Sequence, residues 1–580
     1  MNSRKPVRFT LGLLFVAFAA SNAWAVELHV STAGKNESGT GSVESPWATI
    51  GRALEAAQPG DAIVLHNGVY CESVRILSPN ITIMSAAGEW AVIKAPIGTG
   101  DAPGLCIKFD VDASHGALKR LELIGGYYAV KIESRWDWGG VDQSGATDIL
   151  IEDCVIHDSG RDCIKITPNC DRVTIRRCEI FNSGRLYPPG TPFEQKNAEG
   201  IDCTNADETL VQDCYVHDTA TTGVYFKGGA TDCVVERSRI VRCGHGGVLL
   251  GFDTSPEFFD LTANPRYYEC IRGVVRNCII QDTDYEGIGV FAANGATAVN
   301  NTVINTARVG HNPIYFGLTL QDYDPAAGRP PSVDVEVRNN LVFQPNANSA
   351  AFVFIRYLFE PELGGLLAVD GMPTMSHNLY FGSAGAPRFT DSRPGSILDN
   401  GSFSAWKTHI NGEFGTMVAD PMLDKDARLT RESPANDAGI VLMSVDADID
   451  AEERPAGGSP DIGADEFSAK PPAFRTYGDG MTDGSPDPAC GVVNLPKDGD
   501  QSPDADSDPL PDGPDEVEVP KVDDSDSFDD TDDGTPVVNE RSRIAERCSP
   551  FAAPMWIGMG LLSIRRSCRR SSRNARRLSR

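Results

Sequence analysis

The sequence predicts an all-β protein, a right-handed parallel β-helix with a short N-terminal capping helix and a disordered acidic C-terminal linker. Three observations predict it. The stretch from Thr147 to Ala293 repeats one pattern, in IEDCVIHDSG, IRRCEIFNSG, VQDCYVHDTATTG, VERSRIVRCGHGG and VRNCIIQDTDYEG. One column of that pattern reads Cys154, Cys178, Cys214, Ser238, Cys278, Thr302 and Asn340, in steps of 24, 36, 24, 40, 24 and 38 residues. A base period with occasional insertions is the signature of a repeat architecture. Finally, each unit holds short alternating apolar runs, such as Val234–Ile240, bounded by Gly, Asn, Asp and Thr, with no room for a crossover helix. Units of about three short strands that stack on their own copies form a solenoid of this kind.

The chain divides in order. Residues 1–25 carry Arg4, Lys5 and Arg8, an apolar Leu11–Ala20 and then Ala23-Trp24-Ala25. That is the pattern of a signal peptide cut after Ala25, so the mature protein is expected to be exported. The apolar run is too short to span a membrane. Residues 26–80 form the N-terminal cap and first coil: Ile50, Leu54 and Ala57 have helical spacing, and Pro59-Gly60 ends the helix. This stretch resembles the entry segment of many secreted β-helix proteins, in which a short helix covers the open end. A solenoid needs that cover because its first rung exposes apolar side chains and unpaired strand edges.

Coils are predicted over 81–385, with Phe352–Leu358 and Met375–Phe381 as the last rungs. Residues 386–467 contain SPANDAGI and DADIDAEERPAGGSPDIGADEF, which resemble the closing segment of the same secreted proteins and are read as a C-terminal lid. Residues 468–547 are rich in Pro, Asp, Gly and Ser and poor in aromatics, so they bury too little to fold. Residues 548–580 place Cys548, a short uncharged span and an Arg cluster in series. That order resembles the C-terminal sorting signals of some bacterial surface proteins, including the myxobacterial type, and implies cell-surface or membrane attachment. The basic cluster also fits the positive-inside pattern.

The formal net charge is −29. Asp498–Asp533 holds 16 acids against Lys521 alone, while the last sixteen residues hold eight Arg. An acidic body argues against nucleic acid as a partner. It allows an anionic polysaccharide where a cation intervenes. Capped ends argue for a monomer. Export makes the 15 cysteines look like a disulfide framework. The repeat argues otherwise for Cys154, Cys178, Cys214 and Cys278, whose column needs a small, buried, stackable side chain. Cys163, Cys170, Cys203, Cys233, Cys243 and Cys270 leave room for a bridge whose pairing the sequence does not fix. No C-x-x-C spacing is present, so a zinc site has little support.

Insertions locate the functional face, because repeat insertions gather on one side. They fall at Arg185–Asn197, Thr254–Glu269 and Leu318–Pro331, each bordering the same strand column. In that column Cys163, Gly200, Gly223, Gly247 and Gly287 align, and the next residues (Ile164, Ile201, Val224, Val248, Ile288) point inward. By the two-residue period, Lys165, Asp202, Tyr225, Leu249 and Gly289 point outward, as do Thr167, Thr204, Lys227, Gly251 and Phe291. Asp162, Glu199, Thr222, Gly246 and Glu286 stand just before the column. Coils about 4.8 Å apart bring Asp162, Lys165, Glu199, Asp202, Tyr225 and Lys227 into one patch.

Acids beside lysines have a specific use. Uronate polymers are cleaved by β-elimination when a cation neutralises the sugar carboxylate and a base removes the C5 proton. The layout resembles Ca²⁺-dependent pectate lyases of the β-helix kind. That resemblance implies Ca²⁺ on Asp162, Glu199 and Asp202, Lys227 or Lys165 as base, and Arg185 on the substrate carboxylate; a C5 epimerase uses the same proton abstraction. It departs from those enzymes in spreading its acids rather than clustering them in one motif. A second resemblance, to polygalacturonases, rests on NAEGID, ATTGVYFK and CGHGGVLLG. There Glu199 stands for one acid and His245 for the Gly-His-Gly histidine, but Thr221 and Thr222 replace the acid pair that hydrolysis needs. Phe258 and Tyr267, on the long loop after the column, suit stacking on sugar rings, as do Tyr225 and His245. Against the enzyme stands a non-catalytic cell-surface protein that binds glycan or protein along the same groove.

Overall fold

The computed structural model describes residues 25–97, 104–135, 144–319, 330–346, 351–361, 363–395, 397–478 and 490. The predicted signal peptide before Ala25, most of the acidic linker and the sorting tail lie outside the described residues.

Each turn of the chain gives one strand to each of three twelve-stranded sheets. The first sheet starts with Glu27–Val30 and Ala62–Leu65 and ends with Thr374–Ser376. The second runs from Gly68–Tyr70 to Met417–Val418, and the third from Val74–Ile76 to Leu398–Ser402. Neighbouring strands pair in parallel and in register, closing a right-handed parallel β-helix. The third sheet ends in an antiparallel pair, Arg388–Asp391 with Leu398–Ser402. Strands run from Glu27 to Val418, so the first coil falls within the expected 26–80 segment while the last rungs lie beyond the expected end at residue 385. Outside the central repeat, the chain keeps the strand register without keeping the sequence pattern that reveals it.

Inside, identical positions stack. Ile164, Ile201, Val224, Val248 and Ile288 follow one another in a single core cluster, as do Ile151, Ile175, Val211, Val235 and Val275. Cys154, Cys178, Cys214 and Cys278 are buried free thiols in this wall. Their column does not continue through Thr302. The coil is one residue shorter there, and Asn301 takes the position: Cys278 N donates to Asn301 Oδ1 at 3.1 Å. An asparagine ladder follows, with Asn301 Nδ2 donating to Asn340 Oδ1 (3.0 Å) and Asn340 Nδ2 to Asn378 Oδ1 (3.3 Å). Glu413 Oε2 accepts from Asn378 Nδ2 and ends the row. Each amide in the ladder donates and accepts, so the polar column is buried without losing hydrogen bonds.

The corners are set by residues in the left-handed region, five apart in each coil. They are Asp148, Asp153 and Asp158, then Arg172, Arg177 and Asn182, then Glu208, Asp213 and Asp218, then Asp232, Arg237 and Arg242. Asp and Asn tolerate this conformation; Arg seldom adopts it. At the middle corner arginines alternate with acids from coil to coil, as Asp153, Arg177, Asp213 and Arg237. Arg172 reaches Asp148, Arg177 reaches Asp153, and Arg237 reaches Asp213, at 2.8, 2.8 and 2.9 Å. Being partly exposed, these pairs fix register more than they add stability.

The N-terminal end is closed as expected. The helix Ile50–Ala56 falls on the stretch in which Ile50, Leu54 and Ala57 have helical spacing, and it buries Ile50 and Ala53. Thr49 caps Arg52 N, and Glu72 accepts from Ile50 N and Gly51 N. At the other end, Phe403–Ile410 buries Trp406 against Phe389.

The segment read as a C-terminal lid is instead a strap. The outer face of the second sheet carries Ile279, Ile304, Leu341 and Leu379, which would be exposed without a cover. Ala427, Leu429, Ile449, Ile462 and Ala464 pack onto them. The chain then returns toward the first coils. Ala464 N donates to Thr302 Oγ1, Phe474 lies under Arg239, and Tyr477 OH donates to Asp213 O. Cys490 is disulfide-bonded to Cys71, 419 residues away in sequence. The six cysteines suggested for a bridge are all buried free thiols, because they face the core rather than the strap.

Two measurements check this description. Peptide mapping without reduction is expected to recover one Cys71–Cys490 cross-linked peptide, with the eleven buried thiols alkylated only after unfolding. A second concerns His157, which stacks on Phe181 between Glu122 and Asp158. Burial opposes its charge, but hydrogen bonds to the two carboxylates outweigh it and lift its pKa to about 9. The added stability is present below the unfolded-state value of 6.5 and lost as pH rises through 9. His157→Gln is therefore expected to cost about 2 kcal/mol at pH 6 and much less near pH 10, read from denaturant melts.

Candidate functional site

The third sheet carries the predicted column, and its register matches the alignment made from sequence. Lys165 pairs with Asp202, Asp202 with Tyr225, Tyr225 with Leu249, and Leu249 with Gly289. The two described insertions, Arg185–Asn197 and Thr254–Glu269, border this sheet.

Asp162, Glu199 and Asp202 converge. One carboxylate oxygen of each lies within 4.8 Å of the others, and all three residues are buried. The acids that look spread in sequence are thus gathered by coil stacking rather than by one local motif. Asp202 is well supplied with donors: Lys165 Nζ at 2.7 Å and Tyr225 OH at 2.6 Å on Oδ2, and Thr204 Oγ1 at 2.9 Å on Oδ1. Asp162 Oδ1 accepts from Glu199 N at 3.0 Å, and Glu199 Oε1 from Thr221 Oγ1 at 2.8 Å. The remaining oxygens, Asp162 Oδ2 and Glu199 Oε2, are buried and have no hydrogen-bond partner among the described residues. Two orphaned carboxylate oxygens beside a third acid make a hard, oxygen-rich site of the kind a Ca²⁺ ion occupies. Burial, with the charges of Glu199 and Asp202, pushes the Asp162 carboxyl well above its usual range. Burial acts on Asp202 too, but the charges of Lys165 and Lys227 outweigh it and hold that carboxyl below its usual range.

The patch faces away from the helix interior, as the alignment predicts, yet it is not open to solvent. Tyr225, Leu249, Phe252, Phe291 and Tyr315 form a second apolar cluster over the sheet. The 185–197 insertion covers the acids. Arg161 Nε donates to Asn197 O, and Tyr187 OH donates to the same carbonyl. Burial raises the Tyr187 phenol pKa, and the nearby charges of Asp162 and Glu199 raise it further.

The other predicted residues fall in different places. Lys227 is half-buried, lies 4.5 Å over the Tyr225 ring, and makes no salt bridge among the described residues. Lys165 is committed to Asp202. Arg185 does not face the acids: its guanidinium is exposed and 3.4 Å from Asp158, because the insertion turns outward at Gly184. Phe258 and Tyr267 are half-buried in a loop packed on the helix wall. Tyr267 stacks edge-on against buried Phe259, and Phe258 O accepts from Asn205 Nδ2, so neither presents an open sugar platform. Glu269 anchors the loop by accepting from Gly228 N, Thr254 N and Thr254 Oγ1. His245 is buried, so it offers no exposed ring; its partners are Thr222, Glu286 and His311. Glu286 and His311 were missed as site residues. Glu286 stood in the aligned column, and His311, like His245, stands three residues before its strand's first inward residue.

A family model described as a right handed beta helix region matches residues 132–316. No curated protein matches the chain. Among solved structures, pectate lyase Pel9A is 14% identical, covering 77% of this chain and 97% of its own, at a TM-score of 0.46. XylC in complex with xylose is 12% identical, covering 76% of this chain and 98% of its own, at 0.45. The A-module of the Azotobacter vinelandii mannuronan C-5 epimerase AlgE6 is 12% identical, covering 64% and 93%, at 0.43. What the site does has to follow from its own geometry.

That geometry makes one prediction independent of any ligand. Asp162 is a buried acid pressed against two others with one oxygen unpartnered among the described residues, so Asp162→Asn, which puts a donor among those acceptors, is expected to stabilise the chain in chelator by about 1–3 kcal/mol, the usual cost of a buried unsatisfied polar atom. A differential melt that shows destabilisation instead would mean that the three acids support one another.

Proposed function

We propose that this is an exported, polysaccharide-acting β-helix protein that removes the C5 proton of a uronate unit, as a Ca²⁺-dependent lyase or a related C5 epimerase. The observation that carries the reading is the convergence of Asp162, Glu199 and Asp202, two of them with orphaned oxygens, beside Lys165, Tyr225 and Lys227. Asp162 and Glu199 would hold the cation through their free oxygens, with Asp202 completing the set. Bound Ca²⁺ supplies the positive charge that neutralises a uronate carboxylate and makes the neighbouring C5 proton more acidic.

The chain's own groups divide the remaining work. Lys227 is the better base, because Lys165 is engaged by Asp202 at 2.7 Å while Lys227 makes no salt bridge among the described residues. It takes the C5 proton; the C5 electron pair forms the C4=C5 bond as the C4–O4 bond breaks, and O4 leaves with a proton. Tyr225 OH, on the same Asp202 oxygen as Lys165, is placed to supply that proton. Lys165 and Thr204 hold Asp202 in position from both of its oxygens. Since the acids are buried under the 185–197 insertion, cation and sugar reach them when that insertion lifts. The N-terminal pattern ending at Ala25 supports export, the Arg-rich tail supports surface attachment, and the capped ends of the solenoid support a monomer.

Burial of the acids and the Lys165–Asp202 pair favour a second reading, a surface protein that binds glycan without turning it over. One assay separates the two. The full mature chain is incubated with pectate, alginate and other uronates, with Ca²⁺ or with chelator, and followed by ultraviolet absorbance of unsaturated ends and by solvent-hydrogen exchange at C5. The lyase–epimerase reading predicts Ca²⁺-dependent product on one polymer and a loss of about 10²–10⁴-fold in Lys227→Ala. No product and no exchange on any uronate, from a folded chain, overturns it in favour of the binder.

A further inference from the structure

A second convergence lies further along the same sheet, outside the lysine–acid patch. His245, Glu286 and His311 come from three successive coils, and one ligating atom of each lies within 4.8 Å of the others. His311 Nδ1 is 2.5 Å from Glu286 Oε2. The other inner atoms are orphans: His245 Nε2 and Glu286 Oε1 are buried and have no hydrogen-bond partner among the described residues. Both residues are almost wholly buried, at 2% and 0% exposure. A pair of structural ring contacts does not need a bare imidazole nitrogen and a bare carboxylate oxygen in the same small space.

The surroundings are those of a ligand set rather than of a packed core. His245 Nδ1 is 3.0 Å from the Thr222 hydroxyl. With Nδ1–H donating to that oxygen, the Nε2 lone pair is free to bind, and an outer partner of this sort fixes the tautomer of a metal-bound histidine. Phe193, from the 185–197 insertion, stacks on His245 at 4.6 Å, and Tyr315 stacks on His311 at 4.2 Å. The rings hold both imidazoles in place and keep water out. The edge of His311 retains some exposure and gives a path from solvent.

We infer that His245, Glu286 and His311 form a binding site for a divalent first-row transition metal of the Zn²⁺ class, with Thr222 as its outer-shell support. Two imidazoles and one carboxylate suit such an ion and leave a coordination position open, whereas Ca²⁺ prefers six to eight oxygens. This departs from the sequence reading, in which the absence of C-x-x-C spacing left a zinc site with little support; that spacing bears on cysteine ligands and not on a histidine–carboxylate set. The inference does not rest on the uronate reading, since it uses none of Asp162, Glu199, Asp202 or the lysines.

The test uses the full mature chain, stripped with chelator and titrated with Zn²⁺ and, as a spectroscopic probe, Co²⁺. The expected result is about one tightly held equivalent, visible ligand-field bands of a nitrogen–oxygen Co²⁺ site, and no displacement by excess Ca²⁺. His311→Gln and His245→Ala are expected to weaken binding more than about 100-fold, and Thr222→Val by about 10–100-fold, the usual effect of an outer-shell partner. Circular dichroism in chelator checks that each variant folds; if His245→Ala does not, His311→Gln and Thr222→Val carry the test. No retained metal in the folded wild type overturns the inference. So does equal binding by the folded variants, or a thiolate-to-cobalt charge-transfer band, which would place the ion on cysteines.

Discussion

In-register parallel pairing of each coil on the next decides which side chains in this molecule can meet. Residues equivalent in adjacent coils stand one strand spacing apart, about 4.8 Å, whatever their separation in sequence. That spacing suits a methyl, a thiol or an amide stacked on its own copy, and the interior is built of such stacks. It also suits a carboxylate against a carboxylate. The same stacking that satisfies Asn301, Asn340 and Asn378 presses Asp162 toward Glu199 and leaves their outer oxygens without partners. A stable wall and a costly charged cluster come from one geometry, and cost retained at one place on a wall marks function.

Stacking also creates surface that must be hidden. An apolar outer face on the second sheet is covered by the strap of residues 420–478, which runs back along the coils toward Cys71. The third sheet is covered differently, by its own insertions. Phe252 and Phe193 reach over the sheet and divide its outer face into an acid–lysine region and a histidine–glutamate region. The histidine–glutamate region draws each member from a separate coil, and the acid–lysine region is assembled from pairs on three successive coils, so neither rests on one local sequence motif.

This explains what the sequence disclosed. The period, the inward column and the outward Lys165–Asp202–Tyr225 row were legible, because the two-residue alternation is strict in the central coils. The convergence of Asp162 with Glu199 followed from aligning Cys163 with Gly200. The strap was not legible as such: its contacts to Thr302, Arg239 and Asp213 are long-range, and nothing in SPANDAGI states a direction. Thr302 was misplaced because one coil is a residue shorter, which moves Asn301 inward and turns Thr302 out to the strap. Arg185 was misplaced because a loop obeys no period. His311 was missed because its column was aligned at the small residue before the strand, and the histidines stand two positions earlier.

The central claim is that the orphaned oxygens of Asp162 and Glu199 are a cation site against which a uronate carboxylate docks. A crystal grown with Ca²⁺ and an acidic oligosaccharide tests it most directly. The account predicts a cation bound to Asp162 and Glu199, a sugar carboxylate on that cation, and Lys227 near the C5 position. A sugar bound with its C5 carbon far from Lys227, over acids that hold no cation, would contradict it.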